Sequence, residues 1–239
     1  MLLLNMTHDE VRNELLKDLE NVRRWEAHRE REHRRKSFKM RSFPKLMFTE
    51  YVSPRRNTWL VSTKYFGKDK FSSTYGVLQI QNGLVLHQIF HNKYEGYEPC
   101  ICTFIPHFFE RYAEYNKIDL KGKALIKRTL QDDCSFNIDK TNEISGRKDR
   151  DKENNVHACM AHGIGMGYEV DHRHYLIKTY ITYEMSFGQQ KKVLQSVRDE
   201  LRKGIKEQNT IPIIGDVKNL LDESIINKIK RKLGIITNT

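Results

Sequence analysis

Across 239 residues the chain is 38% hydrophobic and 31% charged, which suits one medium domain with appendages or two small ones. No run approaches the roughly 18 apolar residues of a membrane span, and the four cysteines Cys100, Cys102, Cys134 and Cys159 form no C-x-x-C pair and are too few for a disulfide scaffold; reduced thiols in a cytoplasmic protein are expected. A net charge of +11 with a pI near 9.4 points to a polyanionic partner, RNA ahead of DNA, rather than a membrane surface.

In chain order, Thr7 and Glu10 have the spacing of a capping box. Val11, Leu15, Leu19 and Val22 then recur at helical spacing. The pattern predicts one long basic N-terminal helix, an arm over 1–42 that loses its apolar stripe after Trp25, is packed at one end and projects at the other, with Pro44 as its limit. From Phe43 the period becomes two, and β-branched and aromatic runs at 45–53, 58–67, 74–83, 84–91 and 98–105 read as strands. Turns are marked by Pro54-Arg55-Arg56-Asn57 and Asn82-Gly83. Helices are expected from Pro106 and over about Lys123 to Gln131, then a polar, aperiodic segment at 139–155 read as a mobile loop. Strands at 156–162 and 165–171 flank Gly163-Ile164-Gly165, taken as a tight turn, and another strand comes at 172–183. Helical periodicity returns from Glu184, and Val217, Leu221, Ile225, Ile229 and Leu233 mark an amphipathic tail at 209–239. The resulting fold class is α+β, an antiparallel sheet packed by helices, with a core domain at 43–208 between the basic arm and C-terminal helices.

Pro106 is well placed to open its helix, because a first-turn residue needs no backbone donor. His107 and Arg111, four apart, share a face at the positive helix start, which favours an anion. The plainer reading is a solvated face with Arg111 paired to Glu114.

A histidine and an arginine near a helix start, ahead of a late strand carrying a hydroxyl residue, resemble small metal-independent ribonucleases of the barnase–colicin–RelE type over about residues 100–190. The resemblance implies an endoribonuclease with His107, Arg111 and Thr179 as catalytic residues and His162 as a looser candidate. His107 would act as base or acid and Arg111 would stabilise the phosphorane formed on 2′-hydroxyl attack, with Thr179 helped by Tyr112 or Lys178 in orienting a phosphate oxygen. No cofactor is implied. The basic arm and the C-terminal helices have no counterpart in a minimal toxin.

His157, Cys159, His162, Asp171, His172 and His174 crowd one stretch, with His172 and His174 expected on one strand face. They match no zinc spacing, and no metal is expected. The segment 23–41 holds nine Lys/Arg against three Glu. Arg23, Arg24, Arg31, Arg34, Arg35 and Lys36, with Lys178 elsewhere, are candidate nucleic-acid contacts, and Trp25, Phe38 and Phe43 are interleaved as stacking surfaces. The alternative is a face laced by ion pairs of Glu26 with Arg29, Glu30 with Arg34 and Glu32 with Lys36. Two further readings stay open: a non-catalytic nucleic-acid-binding protein, and a structural module binding protein partners through the arm or the C-terminal helices.

Overall fold

Two antiparallel meanders, joined through their middle by one parallel pairing, make up a single sheet. In the computed structural model the described residues are 1–3, 5–80, 83–90, 99–132, 137–139, 155–160, 162–185 and 199. The segment expected as a loop at 139–155, apart from its two ends, and the expected C-terminal helices lie outside them. The strands are β1 Lys45–Val52, β2 Thr58–Gly67, β3 Lys70–Ile80, β4 Leu84–Phe90, β5 Cys100–Phe104, β6 Asn137–Asp139, β7 Asn155–Cys159, β8 Gly163–Asp171 and β9 His174–Thr182. Their spatial order is β1-β2-β3-β4-β5-β9-β8-β7-β6. Every described pairing is antiparallel except β5 with β9. A parallel neighbour requires a long crossover, and here it begins with helices α3 (Pro106–Asn116) and α4 (Gly122–Asp132).

The arm is two helices, α1 (His8–His28) and α2 (Glu30–Lys39). The capping box forms: Glu10 N–H donates to the Thr7 hydroxyl at 3.3 Å, and Thr7 N–H donates to the Glu10 carboxylate at 2.7 Å, a cap worth about 1 kcal/mol. Val11, Leu15, Leu19 and Val22 pack on Trp59, Val61, Val77, Ile89 and Ile101. Burying each such aliphatic side chain contributes about 1.5–3 kcal/mol. On the opposite face, Phe108, Phe109 and Tyr112 of α3 and Leu125, Ile126 and Leu130 of α4 meet Leu60, Leu86, Phe104, Tyr175, Ile177 and Tyr180. Among the described residues no helix is long and apolar enough to cross a membrane.

The expectation of one long projecting helix is corrected in two respects. The chain leaves helical geometry at Arg29 (φ −94°, ψ 1°), and α2 ends at Lys39, short of Pro44. Nor does α2 project: His33 and Ser37 are buried against the β2–β3 hairpin. The His33 Nδ1 lies 2.6 Å from the Tyr65 hydroxyl, and Asp69 N–H donates to the Ser37 hydroxyl at 3.0 Å. Both anchors are polar, so a search for an apolar stripe misses them. Glycines expected in a tight turn instead belong to β8, which starts at Gly163. At Gly165 a β-carbon would stand 3.2 Å from the Phe108 ring and 2.8 Å from Ile177, so the bare α-carbon lets α3 settle close to the sheet.

Candidate functional site

Helix α3 starts as expected, with Pro106 in its first turn and Ile105 as an extended cap. Its inner face is set by Phe108, Phe109 and Tyr112, all buried, and this turns His107 and Arg111 outward, their side chains 50% and 39% exposed. His107 Nδ1 lies 3.6 Å from the Glu110 carboxylate. Arg111 donates to Glu114 at 2.7 Å and its guanidinium lies 5.8 Å from the Tyr115 ring centroid. The two expected site residues therefore share an accessible helix face, each with a carboxylate beside it.

Thr179 is placed apart from them. Simple alternation along β9 would put Tyr175, Ile177 and Thr179 on one side, but the β8 pairing shifts between Met166, opposite Thr179, and Gly167, opposite Ile177. This bulge inserts Lys178 and reverses the facing of the later β9 residues. Tyr180 thereby meets α3, its ring 4.9 Å from Tyr112 and 5.9 Å from Phe108, so Thr179, half-buried, points to the other face of the sheet. The bulge needs glycine at 167, where a β-carbon would sit 1.9 Å from the Leu176 carbonyl oxygen. His162 occupies the exposed bend that leads into β8.

The basic residues sort by partner. Arg24 stands 3.6 Å from Glu20, Arg34 pairs with Glu30 at 2.8 Å and with Asp69 at 3.4 Å, and Lys36 pairs with Glu32 at 2.6 Å. Arg29 takes Glu32 at 2.8 Å rather than the expected Glu26, because Glu26 is buried, accepts from the Ser73 hydroxyl and faces His33. Its guanidinium lies 4.5 Å from the Trp25 ring, which itself stacks on Tyr51 at 4.7 Å. Arg23 is half-buried. Arg31 and Arg35 are exposed and form no ion pair with a described residue, as are Lys39 and Arg41. Arg24 and His28 lie four apart on exposed positions of α1, and Arg31, Arg35, Phe38 and Lys39 lie at spacings of three and four on the outer side of α2, with Arg41 just beyond its end. Lys178 is remote from this stripe: it belongs to β9, separated from β3 by β4 and β5, and its ammonium lies 4.6 Å from the Tyr168 ring.

The histidines behave differently from their expected grouping. A turn at Arg173 (φ 56°) separates His172 from His174, so they do not share a strand face: His172 is exposed and His174 is fully buried. Among the described residues no group of three or more His, Cys, Asp or Glu could hold a metal ion. Instead His174 joins a buried chain that sequence patterns did not reveal. Gln79 Nε2 donates to the Leu3 carbonyl at 3.0 Å, which leaves its Oε1 facing His87 Nε2 at 2.8 Å. That nitrogen must carry the proton, since the amide oxygen only accepts. His87 Nδ1 then accepts from the Thr103 hydroxyl at 2.9 Å, and the same hydroxyl accepts from His174 Nε2 at 2.8 Å. Burial, with His174 and His8 nearby, drives the His87 pKa down to about 3; burial and His8 take His174 to about 4. Both are neutral at pH 7, joining strands rather than moving protons. The available signal was His87 in an inward position of "LVLHQIF", since a polar group on a buried face needs partners.

A second buried knot centres on Asp18, which accepts from Ser53 at 2.6 Å, from Asn57 and Trp59 at 2.8 Å each, and from Asn21 at 3.1 Å. Burial alone would raise its pKa, but these donors outweigh burial and hold the carboxyl below its ordinary value. Beside it, the Arg55 guanidinium brings the Glu14 pKa down to about 2. No family model matches the chain, and no curated protein or solved structure was found to resemble it.

Proposed function

We propose that this chain binds nucleic acid, RNA in the first instance, through the solvent side of α2 and without catalysis. One observation carries the reading. Helix α2 is pinned to the sheet by His33 and Ser37, while Arg31, Arg35 and Lys39 stand exposed on its free side with no carboxylate among the described residues engaged. The acids of the segment are spent elsewhere: Glu26 faces inward, Glu30 holds Arg34, and Glu32 holds Arg29 and Lys36. A rigid row of uncompensated cations suits a phosphate backbone, where each contact releases counterions. The test is fluorescence anisotropy with mixed RNA in EDTA over a salt series. Intact RNA bound with a steep salt slope, and affinity reduced more than about tenfold in the double variant Arg31→Glu, Arg35→Glu, is the expected result. Affinity that does not depend on salt, or that ignores the charge reversal, rejects this surface and favours a protein-interaction role for the arm.

The second reading is a metal-independent endoribonuclease, supported by the half-exposed His107 and Arg111 at the start of α3. His107 would take the 2′-hydroxyl proton as that oxygen bonds to phosphorus, and the 5′-oxygen would leave and be protonated, giving a cyclic phosphate and a free hydroxyl. Arg111 would have to turn from Glu114 to meet the phosphorane charge, and Thr179 would have no part. Cleavage that survives EDTA and disappears in His107→Ala supports this reading; RNA left intact ends it.

A further inference from the structure

We infer that the α2 surface is built for single-stranded nucleic acid, with one unpaired base stacked on Phe38; this rests on the nucleic-acid reading above and makes it specific. Three aromatics are interleaved in the basic segment, and the structure leaves one of them free. Trp25 is stacked between Tyr51 and the Arg29 guanidinium, and Phe43 is half-buried. Phe38 is 57% exposed. A lone exposed apolar residue is ordinary on a protein surface, so its setting decides. Arg31, Arg34 and Arg35 lie seven, four and three residues before it, on the neighbouring outer surface of the same helix. On the Arg34 side of Phe38, the Ser37 hydroxyl accepts from Asp69 N–H and Asp69 sits 3.4 Å from Arg34, which brings the β2–β3 turn alongside. That turn adds Lys68 and Lys70, both exposed and free of ion pairs among the described residues. Exposed cations outside any ion pair among the described residues therefore come from two elements near Phe38, Arg31 and Arg35 from α2 and Lys68 and Lys70 from the turn. Arg34 between them is paired with Glu30 and Asp69.

An occupant must offer anions to these cations and a flat π-surface to the ring. A single strand fits, because its phosphates track a basic groove while any unpaired base can stack on an aromatic ring. A duplex keeps its base faces inside the stack and offers Phe38 nothing. An acidic peptide would satisfy the cations and leave the ring uncovered. A lipid surface would need a broad apolar face, whereas Phe38 is the one large apolar side chain of α2 (EREHRRKSFK).

The experiment compares labelled oligouridylate with its duplex with oligoadenylate, by anisotropy at several salt concentrations, for the unaltered protein, Phe38→Ala, Phe38→Trp and Lys68→Ala. The expected result is tighter binding of the single strand. Phe38→Ala should weaken single-strand binding by about fivefold to a hundredfold while leaving duplex binding and the salt slope unchanged, and Phe38→Trp should retain or exceed native affinity. Lys68→Ala should lower the salt slope by about 0.7, one phosphate contact on a single strand. Binding of RNA with the duplex preferred, or with Phe38→Ala indistinguishable, overturns this inference and leaves the broader reading standing. Binding of neither form overturns both, as does flotation with phosphatidylserine vesicles that depends on Phe38 in the absence of RNA binding.

Discussion

The two faces of the sheet hold their helices by different physics. Under α3 and α4 the contacts are aromatic and aliphatic: the Phe104 and Phe108 rings lie 4.9 Å apart, and Phe108 meets Phe109 edge-on at 5.2 Å. Under α1 and α2 an apolar seam is interrupted by three polar clusters, centred on Asp18, on Glu26 with His33 and Tyr65, and on His87 with Thr103 and His174. Shape complementarity fixes the first face, where the exposed Glu50, holding Lys123 and Lys127 of α4 to β1, is a titratable tie at its edge. Directional hydrogen bonds fix the second, which makes helix position specific but ties its stability to protonation.

The largest effect expected is on the apolar face. Phe108 has no exposed surface, and Phe108→Ala should cost about 3–5 kcal/mol in urea unfolding; a loss under about 1 kcal/mol would show that α3 is not held by packing. Next is Asp18→Ala, which strands the Ser53, Asn57 and Trp59 donors and should cost about 2–4 kcal/mol. Both tryptophans, Trp25 and Trp59, lie on the α1 side, so this variant should also red-shift the intrinsic fluorescence, which Phe108→Ala should change less.

The sharpest distinction between the faces is pH. His87 and His174 titrate near 3 and 4 in the folded protein, against an ordinary 6.5. Between these values the unfolded chain binds more protons, so stability rises with pH there; it is fully present above about pH 6.5 and declines as pH falls toward 4 and then 3. Asp18 and Glu14, held below their ordinary values, add stability that is lost on further acidification through their folded pKa values. Urea midpoints measured from pH 7.5 down to pH 4 should fall, and His174→Gln should flatten that slope. In hydrogen exchange at pH 5, amides of α1 should open before those of α3; equal protection would erase the contrast. Smallest of all, Glu30→Ala breaks a surface pair with Arg34 whose partners are both more than half exposed and should move stability by less than about 0.5 kcal/mol.

Much of the scaffold was legible because it is written in near neighbours. The Thr7 cap, the span of β2, and Pro106 opening α3 each depend on residues within a few positions. Nothing local announced the break at Arg29, which falls between two side chains held by distant partners, Glu26 by Ser73 and His33 by Tyr65. The three-residue β6 is too short to carry a period. Of the candidate site residues, the outward setting of His107 and Arg111 follows from helical spacing around Phe108 and Tyr112. That of Thr179 does not, because one inserted residue opposite Gly167 reversed its direction.

Composition and periodicity alone determined an α+β chain with a basic N-terminal segment, since charge and hydrophobic period belong to the covalent chain. Which cations remained uncompensated, which aromatic stayed open to solvent, and which sheet face each β9 side chain took were decided only in three dimensions. Those outcomes depend on which distant carboxylate, ring or glycine the fold brings alongside, and no local period encodes the identity of a partner tens of residues away.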